Sequence, residues 1–142
     1  MRKFESEKDL KELFDCRNRE KPFALIIGGS WCSNCHMLIN ALDATPETDL
    51  PADVDLYYYE METQDIPDDS FVKKDLDEIT GSPVMTLPYI VYAEAGLSNI
   101  KTGGMLPVSM FIDKLEKLAE SNSDDSNDES AEEDDGCATC HL

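Results

Sequence analysis

The sequence predicts an α/β domain, with a mixed central sheet of about four strands and helices on both faces. Three features predict it. Phe23-Ala-Leu-Ile-Ile27 is a continuous apolar run of strand length, as expected of a central strand buried on both faces. Helical patterns separate the early strand-like runs, which implies parallel pairing through crossovers. A short turn at Glu94-Ala-Gly96 joins the last two strand-like runs, which implies an antiparallel pair.

The elements follow in order. Ser6 with Asp9 three residues on resembles a capping box, and Leu10, Leu13 and Phe14 form a short apolar face, so a helix is expected over residues 6–18. Lys21-Pro22 ends it and the first strand follows, with Gly28-Gly29 as its terminator. Met37, Leu38, Ile39, Ala41 and Leu42 mark a second helix starting near Ser33. Pro46 and Pro51 bound a loop, and residues 54–61, with three tyrosines, read as the second strand. Phe71, Val72, Leu76 and Ile79 give a short amphipathic helix over 68–79, stopped by Gly81-Ser82-Pro83. Residues 88–92 and 97–102 are the third and fourth strands, and Gly103-Gly104 ends the last. Val108, Phe111, Ile112, Leu115, Leu118 and Ala119 share one stripe of a final helix, with Asp113, Lys114, Glu116 and Lys117 elsewhere.

The charge divides the 142 residues into two parts. The whole chain carries 31 acids and 12 bases, a net −19. Nine acids and no base lie from Glu120 onward, which leaves the first 119 residues at −10. Residues 121–136 contain only Ser, Asn, Asp, Glu, Ala and Gly. With no large apolar side chain to bury, this stretch is expected to be a disordered acidic tail. The expected organisation is a domain over 1–120 and a tail over 121–142 that ends in Cys137-Ala-Thr-Cys140-His141. Such an excess of acid argues against nucleic acid or an anionic membrane as partner. No apolar run reaches the ~18 residues of a membrane span. The first residues lack the apolar core of a signal peptide, so a cytoplasmic location is the expectation.

Trp31-Cys32-Ser33-Asn34-Cys35-His36 falls where the buried strand gives way to a helix. At that position the unpaired N–H groups and the dipole of the helix favour a thiolate on Cys32. The thiolate is the nucleophile of disulfide exchange, and both helix N-termini and C-x-x-C spacing lower its pKa. Cys35 lies one turn on, close enough to resolve a mixed disulfide on Cys32. The helix carries Cys35 inward, so Cys32 is expected to be the more exposed of the two.

A strand leading into Trp-Cys-x-x-Cys, a later Thr86-Leu87-Pro88 opening a strand, then Gly103-Gly104 and an amphipathic helix together resemble the thioredoxin family over roughly residues 6–120. The resemblance implies a thioredoxin fold and thiol–disulfide oxidoreductase activity. Its substrates would be disulfide-containing proteins, its electron donor would be of the thioredoxin-reductase type, and it would act as a monomer without a cofactor. It implies a cis Leu87–Pro88 bond with Pro88 packed against the cysteine pair, and a Leu87 backbone that pairs with extended substrate. Trp31 would cover the site, and Gly103 or Gly104 would line the substrate groove. Three departures from the family pattern matter. Ile26 stands where members carry a buried Asp that serves the resolving cysteine's proton, so water or another group must take that proton here. Ser33-Asn34 replaces Gly-Pro between the cysteines. His36 replaces a Lys or Arg, and either supports a thiolate when protonated or is a solvated helix residue.

The remaining cysteines leave alternatives open. Cys16, near the edge of the first helix's apolar face, reads as a buried, inert thiol. Cys137 and Cys140 read as a second dithiol exchanging with Cys32–Cys35, as metal ligands with His141, or as residues without a specific role. A structural zinc site needs four ligands, and one C-x-x-C supplies two. Both pairs also match the haem-attachment pattern C-x-x-C-H, but the tail offers no apolar pocket for haem. Two other readings of the whole chain compete with the enzyme: a non-catalytic binding module, and a metal-binding protein that uses both C-x-x-C-H motifs.

Overall fold

The computed structural model describes residues 2–15, 20–63, 69–82, 86–97 and 99–124. Its elements are β1 (Arg2–Phe4), α1 (Glu7–Asp15), β2 (Phe23–Gly29), α2 (Ser33–Asp43), β3 (Asp55–Met61), α3 (Leu76–Thr80), β4 (Tyr89–Ala93), β5 (Ile100–Gly103) and α4 (Val108–Asp124). The sheet has five strands in the order β1-β3-β2-β4-β5. β1, β3 and β2 are parallel, while β4 and β5 add antiparallel to them. The expected mixed sheet is therefore present, with β2 at its centre.

The pleat of β2 divides the core. Phe23, Leu25 and Ile27 point to one face, where they meet Leu10, Leu13 and Phe14 of α1 and Phe71, Val72 and Leu76 around α3. Ala24 and Ile26 point to the other, against Leu38, Ile39 and Leu42 of α2 and Phe111, Leu115 and Leu118 of α4. Every residue of β2 is buried, as its uninterrupted apolar sequence requires.

The structure corrects several sequence expectations. β1 is a fifth strand not anticipated; it is three residues long and buries only Phe4, so it carries no period to read. β2 does not stop before Gly28-Gly29 but ends with them, since both glycines stay paired, with Glu60 and Met61 of β3. Asp9 reaches back to the Glu5 N–H at 3.1 Å, one residue ahead of the bond a capping box would make. The segment read as one helix over 68–79 is a π-helical turn, Phe71–Asp75, followed by α3. Ser70 caps the turn by accepting from the Lys73 N–H at 3.2 Å. Gly81 ends α3 in the left-handed conformation (φ 77°), and its N–H is bonded to Asp77 O at 2.8 Å. The turn before β5 places Gly96 and Leu97 at φ 70° and 59°, and β5 begins at Ile100. α4 runs on to Asp124, past the expected boundary at residue 120. Pro83, Cys16, Cys137, Cys140 and the rest of the expected tail beyond Asp124 lie outside the described residues. No helix of the described residues is long and apolar enough to cross a membrane.

Four tyrosines give the fold an alkaline limit. Burial raises the pKa of Tyr58, Tyr59 and Tyr89, and pushes Tyr92 up to about 12. The folded chain thus keeps protons that the unfolded chain releases near pH ~10. Stability is then fully present below about pH 10 and falls as pH rises toward 12. The urea midpoint should drop across that window, and Tyr92→Phe should remove part of the drop. A midpoint that stays level to pH ~12 would contradict this. Among the described residues the buried Tyr92 Oη has no hydrogen-bond partner, so Tyr92→Phe sacrifices no bond seen here.

Candidate functional site: a dithiol at the end of β2

β2 delivers the chain to the site and α2 begins within it. Ser30 N–H donates to Met61 O at 2.8 Å, and Cys32 N–H donates to Gly29 O at 2.9 Å, which ties the short turn to the sheet end. Cys32 is the N-cap of α2, with extended backbone (φ −98°, ψ 104°). Its Sγ accepts a hydrogen bond from the Cys35 N–H at 3.2 Å. A sulfur in the cap position thus takes one of the first-turn donors that Ser or Asp usually takes. A negatively charged sulfur there is favoured by that bond and by the helix dipole.

Cys32 and Cys35 form a disulfide. Cys32 is partly exposed, whereas Cys35 is fully buried, the asymmetry expected from the turn of the helix. An incoming disulfide can therefore reach Cys32 and not Cys35. Trp31 is 39% exposed, and its ring lies over Gly29, where an added β-carbon would come within 2.8 Å of it. Gly28 is as closely covered. A β-carbon there would lie 2.9 Å from Tyr58 Oη, 3.0 Å from Cys35 Cβ and 3.1 Å from Cys35 Sγ.

The sheet brings the distant motif to the same end. Ile27 pairs with Tyr89, so Pro88 stands beside the last two residues of β2, next to the cysteine turn. Leu87–Pro88 is cis and Pro88 is buried. Leu87 is partly buried against the core under α1 and α3. Gly103 pairs with Ile90, and Gly104 follows it, with its β-position 3.9 Å from Pro88 O. Gly103 faces the Tyr92 ring instead, at 3.4 Å. Gly104 is thus the glycine beside the cis-proline, and no positive φ constrains either one.

Ile26 is fully buried, and no charged side chain is buried among the described residues. One polar group that shares the space over Gly28 with the buried sulfur comes from β3, which the sequence did not single out. Tyr58 Oη donates to Glu60 Oε1 at 2.8 Å, and the same oxygen lies 3.2 Å from His36 Nε2. His36 is therefore an exposed helix residue held by a carboxylate. The only clue in the sequence was period two: Tyr58 and Glu60 share a face of a strand that packs beside the β2 glycines. Among the described residues no group of three or more His, Cys, Asp or Glu side chains is placed to hold a metal ion. Cys137, Cys140 and His141 fall outside those residues.

No family model and no curated protein sequence matches the chain. Solved structures do. A chloroplastic thioredoxin z superposes with TM-score 0.57 at 18% identity, over 84% of this chain and 95% of its own. The thioredoxin of Fasciola hepatica gives 0.57 at 13% identity, over 83% and 99%. Oxidised thioredoxin O2 of Arabidopsis thaliana gives 0.57 at 15% identity, over 83% and 93%. The chain has the thioredoxin fold. At these identities the likeness defines the architecture, and the chemistry rests on the site itself.

Proposed function

We propose that the chain is a thiol–disulfide oxidoreductase that acts on protein disulfides, with Cys32 as nucleophile and Cys35 as resolving thiol. One observation carries the reading: a partly exposed cysteine caps a helix and is disulfide-bonded to a fully buried one a turn away. In the reducing direction, the Cys32 thiolate attacks a substrate disulfide, forms a mixed disulfide and releases one substrate thiolate. Cys35 then attacks Cys32 Sγ. The second substrate thiolate leaves, the Cys32–Cys35 disulfide forms and one proton is lost from Cys35. A dithiol or a reductase of the thioredoxin-reductase type restores the pair. Leu87, Pro88 and Gly104 would hold an extended substrate segment, with Trp31 covering the site. The exposed Met105 beside Gly104 extends that surface with an apolar side chain suited to a polypeptide.

The tail pair is proposed as a second dithiol for this centre. A flexible chain the length of residues 125–136, past the end of α4, would have an r.m.s. span of ~17–21 Å. An attached thiol within that reach acts at an effective concentration near ~1 mM. A cytoplasmic location and a monomer are proposed with it, since a reducing compartment suits the reducing direction. Dithiothreitol-driven reduction of insulin tests the main reading: the wild-type chain should accelerate precipitation of the reduced B chain. A rate equal to that of dithiothreitol alone between pH ~6 and ~9 would reject it and favour a binding module. Stoichiometric zinc in protein purified under reducing conditions would favour the metal-binding reading.

A further inference from the structure

The fully buried Cys35 thiol must lose its proton to attack, and the structure offers it no carboxylate at Ile26. The face of the sheet beneath α2 supplies a different route. Ile26 pairs with Tyr58 and Gly28 with Glu60, so the tyrosine and the glutamate occupy successive same-face positions beside β2. Tyr58 Oη and Cys35 Sγ border the one small space over Gly28, at 2.9 and 3.1 Å from its β-position. The phenol oxygen and the sulfur both lie within 3.1 Å of that position, and the phenol's proton is already committed to Glu60 at 2.8 Å.

We propose that Tyr58 and Glu60 form a proton relay that deprotonates Cys35 as it resolves the mixed disulfide. The proposal rests on the oxidoreductase reading above. As the Cys35 S–H bond breaks, Tyr58 Oη takes the proton and passes its own to Glu60 Oε1. Cys35 Sγ bonds to Cys32 Sγ and the substrate sulfur leaves as thiolate. The tyrosine ends neutral, the carboxylate ends protonated, and electrons and protons balance without another reactant. Glu60 is 40% exposed. It opens on a cleft of about 380 Å³ lined by Lys3 and Phe4 of β1, His36 and Asp43 of α2, and Tyr58, so it returns the proton to water.

The surroundings fit a relay rather than a phenolate base. Burial, and after it the hydrogen bond and charge of Glu60, raises the Tyr58 pKa, so the hydroxyl stays neutral and works by exchange. The other charged groups around the cleft are Lys3 and Asp43, which pair with each other at 3.7 Å, and His36, which touches Glu60. Lys3 is thus engaged with Asp43 across the cleft, and among the described residues His36 is the basic side chain in contact with the accepting oxygen.

The test separates the two chemical steps in the full-length chain with Cys16, Cys137 and Cys140 changed to serine. Mixing reduced protein with 5,5′-dithiobis(2-nitrobenzoate) releases one nitrothiobenzoate when Cys32 attacks and a second when Cys35 resolves. Tyr58→Phe and Glu60→Gln should leave the first release within about two-fold of the parent and slow the second by about 10-fold or more at pH ~7. The deficit should shrink as pH is raised well beyond the ~8.5 of a free thiol, because a buried thiol ionises to water unaided only above that value. A second release within two-fold of the parent in both variants would overturn the relay. So would a deficit equal at every pH, or equal slowing of both releases, since either marks a structural effect. Absence of a second release from the parent itself would instead overturn the disulfide-exchange reading, and the relay with it.

Discussion

Cys32→Ser should abolish the protein-dependent reduction of insulin, leaving only the rate of dithiothreitol. The reason is local. Cys32 Sγ sits at the cap of α2, accepts the Cys35 N–H at 3.2 Å and is the partly exposed sulfur of the pair. A serine hydroxyl keeps the cap, because oxygen accepts the same bond, so the helix and the fold should be preserved. What is lost is the nucleophile: a hydroxyl does not ionise in this range and forms no disulfide. Cys35 cannot replace it, since it is fully buried under Gly28 and the first turn of α2. Circular dichroism and urea unfolding should show a folded variant. A folded Cys32→Ser protein with an undiminished rate would place the activity elsewhere in the chain. Residual activity that disappears with Cys137→Ser and Cys140→Ser would assign that remainder to the tail pair.

The largest effect on stability is expected from Phe23→Ala, at the opposite end of the same strand. Phe23 is fully buried and meets Phe14 and Tyr57 edge-on, with ring centroids 5.6 and 6.0 Å away. Removing a packed phenyl ring forfeits its transfer energy and leaves a cavity that α1 and β3 cannot both move in to fill. The cost is about 3–5 kcal/mol, a large share of the ~5–15 kcal/mol that holds a domain together. The thermal midpoint should fall by more than about 10 °C. Because Phe23 lies at the far end of β2 from Cys32, the protein that remains folded should reduce insulin at the parent rate. A loss below ~1 kcal/mol, or a rate defect at a temperature where the variant is folded, would contradict this division of labour along β2.

That division also explains what the sequence showed and what it hid. β2 was legible because an apolar run flanked by Lys21-Pro22 and two glycines has few other places to go. The cysteine pair was legible because its chemistry is written in four consecutive residues, and Pro88 because its motif opens the next apolar strand. β1 was hidden because three edge residues with a single buried side chain make no pattern. The continuation of β2 through Gly28 and Gly29 was hidden too. Glycine signals a break locally, whereas here small size is needed: Tyr58 and Cys35 crowd one glycine and the Trp31 ring the other. Tyr58 and Glu60 were missed for a related reason. Tyr58 comes to the same space as Cys35, with Glu60 bonded to it, only through the register of β3 on β2, which no local window contains. Ile26, an apolar residue, offers the buried sulfur no acid, and the sheet shows that the Tyr58 phenol shares the space over Gly28 with it.

The most direct measurement of the central claim is a trapping experiment with Cys35→Ser. Without the resolving thiol, Cys32 should hold a substrate as a stable mixed disulfide. Incubation of the reduced variant with oxidised insulin should yield a covalent adduct that mass spectrometry maps to Cys32. The adduct should be released by dithiothreitol and absent when Cys32 is also serine. No adduct, or one that maps to Cys137 or Cys140 with Cys32 left free, would contradict the assignment of Cys32 as the attacking thiol.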